Sequence, residues 1–270
     1  KEAEKLLNCI ENHTELVFDR TIIPCGGQYW LETGEEWPAG SFEHCRDNSD
    51  AILLGAIGWP GANLPNGDLA GGQVILGLRS GLNLYANVRP IKLYEGVKHK
   101  IHDNFTQVWS PTNVDLLVLR ENTEGLYHSL LRRSALRAQG IEPEDVEEME
   151  FGGIEGEVAW DARPISENGS KKLIRLGFEY AKRRNGSPST GESSVTCVDK
   201  SNVTRGCQLF RRVFHEVGEE YSEIGKDAAY IDAFTMWMVR NPEWFDVVVT
   251  SNMFGDIVTD LGSVLQGGMG

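Results

Sequence analysis

Residues 245–265 read FDVVVTSNMFGDIVTDLGSVL. The opening FDVVVTSN (245–252) is short, nearly continuous in apolar residues and rich in valine, the signature of a strand covered on both faces. Its continuation reads as a helix, so a strand feeds directly into a helix. Five similar strand-like runs precede it: ELVFDRTI (15–22), DAILLGAIG (50–58), VDLLVLRE (114–121), SSVTCVDK (193–200) and AAYIDAF (228–234). Helical patterns alternate with them, for example over 170–184 and 206–221. The pattern predicts an α/β fold around a parallel or mixed sheet.

The bulk properties narrow the function. The chain has 270 residues, enough for one large α/β domain or two smaller ones. A net charge of −14 argues against a broad nucleic-acid footprint and against anionic membranes, so any anionic ligand must be captured by local basic groups. Cys9, Cys25, Cys45, Cys197 and Cys207 are scattered singly without CxxC spacing, which suits reduced thiols. No apolar run approaches a membrane span, and residues 1–13 read as a charged amphipathic helix. The expectation is a soluble cytoplasmic protein, with a mitochondrial or plastid matrix left open. Both ends read as cut: the chain starts inside a helical pattern without Met and stops at GGMG, a turn that leads into another element.

Residues 58–73 and 183–193 read as loops, and the acidic run within 133–160 as a solvated face. There is neither a GxGxxG after a strand nor a GxxxxGK[ST], so the Rossmann fingerprint and the P-loop are absent.

Candidate chemistry gathers at strand ends, where open α/β sheets bind ligands. Asp256 and Asp260 lie four apart, so they share one helical face about 6 Å apart. With a third carboxylate such as Asp232 they would suit Mg²⁺ or Mn²⁺. On spacing alone, a helix cap and a solvated carboxylate explain the pair better. Arg79, Arg89 and Arg120, in an acidic chain, suggest forks for substrate carboxylates if they converge. Lys200 and Tyr127 are possible proton carriers.

Read together, AILLGAIGWPG, GLRSGLNLYANVRPIKLYEG, DLLVLRENTEGLY, VTCVDKSNV and the stretch from YIDAF to GGMG resemble the β-decarboxylating dehydrogenases. These act on isopropylmalate, homoisocitrate, isocitrate, tartrate or D-malate. The matches run in family order over nearly all of residues 50–270. The resemblance implies an isopropylmalate-dehydrogenase-like two-domain fold with a continuous mixed sheet and no Rossmann fingerprint. Residues 1–84 would belong to the first domain and 85–266 to the second, with a dimer-clasping arm at about 130–165. It also implies a homodimer with shared active sites.

Matched positions carry implied roles. Arg79, Arg89 and Arg120 resemble the carboxylate-binding arginines; Asp232, Asp256 and Asp260 the Mg²⁺ or Mn²⁺ ligands; Lys200 and Tyr127 the acid/base pair; Asn202 the asparagine beside the nicotinamide. Lys200 and Asp232 would come from the neighbouring subunit. Ile75 and Leu76 resemble the apolar substrate pocket of isopropylmalate enzymes, whereas RENTEG (120–125) is closer to isocitrate, homoisocitrate and tartrate enzymes. The implied activity is oxidative decarboxylation of a small 2-hydroxy diacid, isopropylmalate-like or tartrate/malate-like, with hydride passing to NAD. NADP stays open, because the family's adenosine-binding loop would lie beyond Gly270. The alternative is a catalytically silent regulatory subunit of a hetero-oligomeric dehydrogenase.

Overall fold

The computed structural model describes residues 2–65, 67–127 and 161–268. Chain contacts divide the protein into two units, Lys1–Ile75 and Leu76–Gly270.

The first unit holds helices α1 (Glu2–His13), α2 (Gly27–Thr33) and α3 (Ser41–Asp47) and the start of α4 (Gly72–Gly81). Residues 2–13 are helical as their amphipathic pattern predicts. Glu36 is buried, and its carboxylate accepts the backbone N–H groups of Gly71 (3.0 Å) and Gln73 (2.9 Å). A carboxylate at this end of α4 satisfies donors that no helical carbonyl can reach and complements the helix dipole.

The runs at 15–22 and 50–58, expected as strands, form none. Among the described residues of this unit the sole ladder contact is an isolated bridge between Asn63 and Leu69. A strand exists only through a partner that takes its N–H and C=O groups. Without one, Val17, Ile22 and Leu53 stay exposed.

The second unit carries a five-stranded sheet in the order β1-β4-β7-β5-β6. Its strands are β1 (Ala86–Lys92), β4 (Asp115–Glu121), β5 (Ser194–Asp199), β6 (Gly225–Tyr230) and β7 (Val247–Thr250). A small antiparallel hairpin, β2 (His99–Ile101) with β3 (Asn104–Thr106), stands apart from it. β1 runs antiparallel to β4, pairing Ala86 with Glu121 and Lys92 with Asp115. The β4–β7, β7–β5 and β5–β6 pairs are parallel. The sheet is therefore mixed, as the sequence predicts. β1 was not among the expected strands; it contains Pro90, which an edge strand tolerates because one of its sides needs no ladder donor.

Helices cover both faces. On one, α5 (Glu167–Ala181) and α6 (Arg205–Gly218) pack Phe178, Phe214 and Val217 against Leu119, Val195 and Val249. Phe178 stacks on Tyr221 with centroids 4.7 Å apart. On the other, α7 (Ile231–Arg240) and α8 (Asn252–Leu265) pack Phe234, Met238 and Val258 against Leu116, Val118 and Val248. Val247, Val248 and Val249 are all fully buried, which explains the unbroken apolar run of β7.

One boundary differs from its expectation. The run 228–234 is strand only to Tyr230; helix α7 starts at Ile231, so Asp232 lies in a helical first turn rather than at a strand end. Phe234 and Met238, four apart, are buried together, the periodicity of a helix and not of a strand. Most of the expected arm at about 130–165 falls outside the described residues.

Candidate active site

β4, β5, β6 and β7 are parallel, so their carboxyl ends open on one side of the sheet. There the chain places Glu121, Lys200, Asp232 and Asn252. The start of β1 reaches the same end because Ala86 pairs with Glu121. Open α/β sheets take ligands at such a rim.

One group of side chains forms around Arg120, the penultimate residue of β4. Its Nη1 donates to Asp256 Oδ1 on α8, while Nε and Nη2 donate to Asn252 Oδ1 at 3.1 and 2.8 Å. Tyr127 Oη donates to Asp256 Oδ2 at 2.9 Å, and the Arg120 guanidinium lies 5.5 Å from the centre of the Tyr127 ring. Arg79, on the last turn of α4, donates through Nη2 to the backbone carbonyl of Asn122 at 2.8 Å. The structure thus brings together Arg79, Arg120, Tyr127 and Asp256, four residues far apart in sequence.

Charge is unevenly matched within this group. Burial, and then the nearby positive charge of Arg120, hold Arg79 below its ordinary pKa. Its hydrogen-bond acceptor is a neutral carbonyl, so the two guanidiniums repel one another across a partly desolvated space. The carboxylates of Glu121 and Asp256 offset that repulsion in part. Burial, and then the hydrogen bond to Asp256, push the Tyr127 phenol above its ordinary pKa, so at neutral pH it keeps the proton it could donate.

A second pair stands on the neighbouring strands. Lys200, directly after β5, donates through Nζ to Asp232 Oδ1 at 2.5 Å. That hydrogen bond holds the exposed Asp232 carboxyl below its ordinary range. Among the described residues no hydrogen bond or ion pair joins this pair to the Arg120 group.

The remaining candidates are placed but not engaged. Arg89 lies in β1 opposite Val118 and is a diagonal neighbour of Arg120 on the same sheet face, without a side-chain partner among the described residues. Asn202 is exposed in the turn after Lys200, and Asp260 is exposed one turn beyond Asp256. Ile75 lies one turn before Arg79 along α4 and is exposed, whereas Leu76 is half-buried.

Among the described residues of one chain, no group of three His, Cys, Asp or Glu side chains is close enough to hold a metal. Asp256 and Asp260 still offer two hard oxygen ligands on one face. Mg²⁺ commonly binds through one or two carboxylates, keeping water and substrate at its other positions, so the donor chemistry fits.

Sequence reasoning missed the residues that hold RENTEG in shape. Glu121, buried, accepts from Thr123 N, Thr123 Oγ1 and Glu124 N, folding the hexapeptide back on itself. Asn122 Nδ2 donates to the Leu84 carbonyl, and the Glu124 carboxylate takes Ser166 N and Oγ ahead of α5. Asn252, the first residue of α8, is fully buried.

Comparison with known proteins identifies the family. The isocitrate/isopropylmalate dehydrogenase family model matches residues 1–270. A 3-isopropylmalate dehydrogenase of Zymomonas mobilis is 34% identical over 100% of this chain and 69% of its own length. One from Thermobifida fusca is 37% identical, covering 100% of this chain and 68% of the relative. A 3-isopropylmalate/3-methylmalate dehydrogenase of Methanocaldococcus jannaschii is 35% identical over 95% of this chain and 65% of the relative. The crystal structure of isocitrate dehydrogenase from Methylococcus capsulatus superposes with a TM-score of 0.62 at 30% identity, covering 91% of this chain and 61% of that one. The TT0538 protein from Thermus thermophilus gives 0.69 at 28% identity, covering 98% and 46%. The chain spans about two thirds of the length of these curated relatives and less of the solved chains. A match over every residue, a mixed sheet shared with solved relatives and arginines gathered at its carboxyl rim lead to one conclusion: the chain belongs to the isocitrate/isopropylmalate dehydrogenase family.

Proposed function

We propose that the protein oxidatively decarboxylates a small 2-hydroxy diacid, an isopropylmalate-like one before a tartrate- or malate-like one, with NAD and Mg²⁺ or Mn²⁺. The observation that carries this reading is the grouping of Arg79 and Arg120 with Tyr127 and Asp256, which would set a substrate carboxylate beside a proton donor and a metal ligand. The names of the curated relatives support the isopropylmalate-like preference.

Arg79 and Arg120, joined by Arg89, would grip the substrate carboxylates, while Ile75 and Leu76 would flank its apolar part. Asp256 and Asp260 would hold the cation, with Asp232 as third ligand. Bound there, the cation would supply charge stabilisation at the substrate oxygens, and NAD, with Asn202 near its nicotinamide, would supply the hydride acceptor. Lys200 would take the hydroxyl proton. Tyr127 would return a proton to the carbon that loses CO₂.

Lys200 and Asp232 form a pair of their own, without a direct bond to the Tyr127 and Asp256 group among the described residues, and each copy of a homodimer would lend this pair to the other's site. The test is turnover by the full-length protein with NAD and Mn²⁺ on a panel of isopropylmalate, D-malate, tartrate and isocitrate. NADH and CO₂ should appear together from at least one, stop with a chelator and return with added Mn²⁺. Silence on the whole panel from an intact dimer would refute the proposal.

A further inference from the structure

We infer that Asn252 is a positioning residue, holding the Arg120 guanidinium so that it presents free N–H groups to the substrate carboxylate; this rests on the reading of the site proposed above. Asn252 is completely buried and Arg120 nearly so. The amide is fixed from both sides: Oδ1 accepts Arg120 Nε (3.1 Å) and Nη2 (2.8 Å), and Nδ2 donates to the Glu124 carbonyl (2.7 Å). Reversing it would set the NH₂ against a guanidinium and the oxygen against a carbonyl, so one orientation is dictated.

The arithmetic of the fork gives Asn252 its role. A guanidinium has five N–H groups. Asn252 takes Nε–H and one on Nη2, and Asp256 takes one on Nη1. One N–H on each of Nη1 and Nη2 remains without an acceptor among the described residues, available to a substrate carboxylate. The residue type matters equally. Asp256 already pairs with the guanidinium; a neutral amide locks it without adding a second negative charge, whereas a carboxylate at the same place would lock it and leave it overcompensated.

The backbone is shaped around this contact. A Cβ on Gly255 would lie 2.5 Å from Arg120 Cβ and Cγ, so only glycine lets α8 approach β4 closely enough for Asn252 to reach the guanidinium. Gly125 has φ +83° and its side-chain position lies 3.0 Å from Asn252 Cβ, so the turn that offers the Glu124 carbonyl also requires glycine.

The test is calorimetric binding of a diacid lacking the 2-hydroxyl, which cannot be oxidised, to the full-length Mn²⁺-loaded protein. Asn252→Asp keeps the shape and the lock but sets a second carboxylate on Arg120 beside Asp256, repelling a substrate anion, and should weaken binding about tenfold or more with a small change in melting temperature. Asn252→Ala should weaken binding by a similar factor with a larger loss of stability. In an Arg120→Met background, adding Asn252→Asp should change affinity less than about twofold, because the residue acts through Arg120. Wild-type affinity in Asn252→Asp, or equal weakening with and without Arg120, would overturn the inference and leave the reading of the site standing. Failure of the wild type to bind any diacid would overturn both.

Discussion

Replacing Asp199 with Ala should destabilise the second unit by about 3 kcal/mol, toward the lower end of the 3–5 kcal/mol seen when one partner of a buried ion pair is removed. Asp199 ends β5 and is completely buried. Arg211 on α6 grips it bidentately, Nε to Oδ2 at 2.7 Å and Nη2 to Oδ1 at 3.0 Å, and Ser201 N donates to Oδ1 at 2.8 Å. Burial by itself would lower the Arg211 pKa, yet its hydrogen bond to Asp199 carries it above the ordinary value. The truncation strands that charge and orphans the Ser201 N–H. Arg211 keeps 20% of its side chain exposed, which lets water recover part of the loss and sets the figure at the low end. Domains are stable by about 5–15 kcal/mol, so the effect is a large fraction of the whole. Equilibrium urea denaturation, with midpoints compared at matched slopes, reads it. The double variant Asp199→Leu with Arg211→Met should regain most of the loss, since an apolar pair of similar volume carries no desolvated charge. A single variant within about 1 kcal/mol of wild type, or a double variant as unstable as the sum of the singles, would refute the reasoning.

Two further outcomes follow from the site. Tyr127 has a folded-state pKa raised above its unfolded value, so its contribution to stability is intact below about pH 10 and is lost as pH rises through the folded pKa. Spectrophotometric titration of wild type minus Tyr127→Phe should show this phenol ionising above about pH 10, and ionisation at or below that value would contradict the burial and the Asp256 bond. Gly255→Ala forces a methyl to within 2.5 Å of Arg120 Cβ and Cγ and should destabilise by about 1–3 kcal/mol while weakening diacid binding; an unchanged melting temperature with unchanged KM would show that α8 moves freely.

What the sequence reveals and what it hides divide along the range of the interaction. The runs at 114–121, 193–200 and 245–252 read correctly as strands because burial on both faces writes itself into adjacent residues. The runs at 15–22 and 50–58 carry the same local pattern and form no strand, because pairing needs a partner segment that periodicity cannot name. Asp232 shifts from strand to helix because a boundary is a competition between two periods over a few residues. The same limit governs the site. Arg79, Arg120, Tyr127 and Asp256 look individually like surface or packing residues, and only resemblance to a family singles them out. Their convergence depends on the contact between β4 and α8, which brings Arg120 to Asp256 across 136 positions. RENTEG shows why a motif can be legible while its reason is not. Of its six residues Arg120 is the one whose side chain joins Asp256 and Tyr127. Glu121, Asn122 and Glu124 spend their side chains on Thr123 and Glu124, on the Leu84 carbonyl and on Ser166. Gly125 makes room for Asn252. On the proposed reading, substitution at Glu121, Glu124 or Gly125 would reach a diacid through the pose of Arg120, and at Asn122 also through Arg79, which its carbonyl holds, so their effects on diacid binding should be mutually non-additive while their effects on stability remain separate.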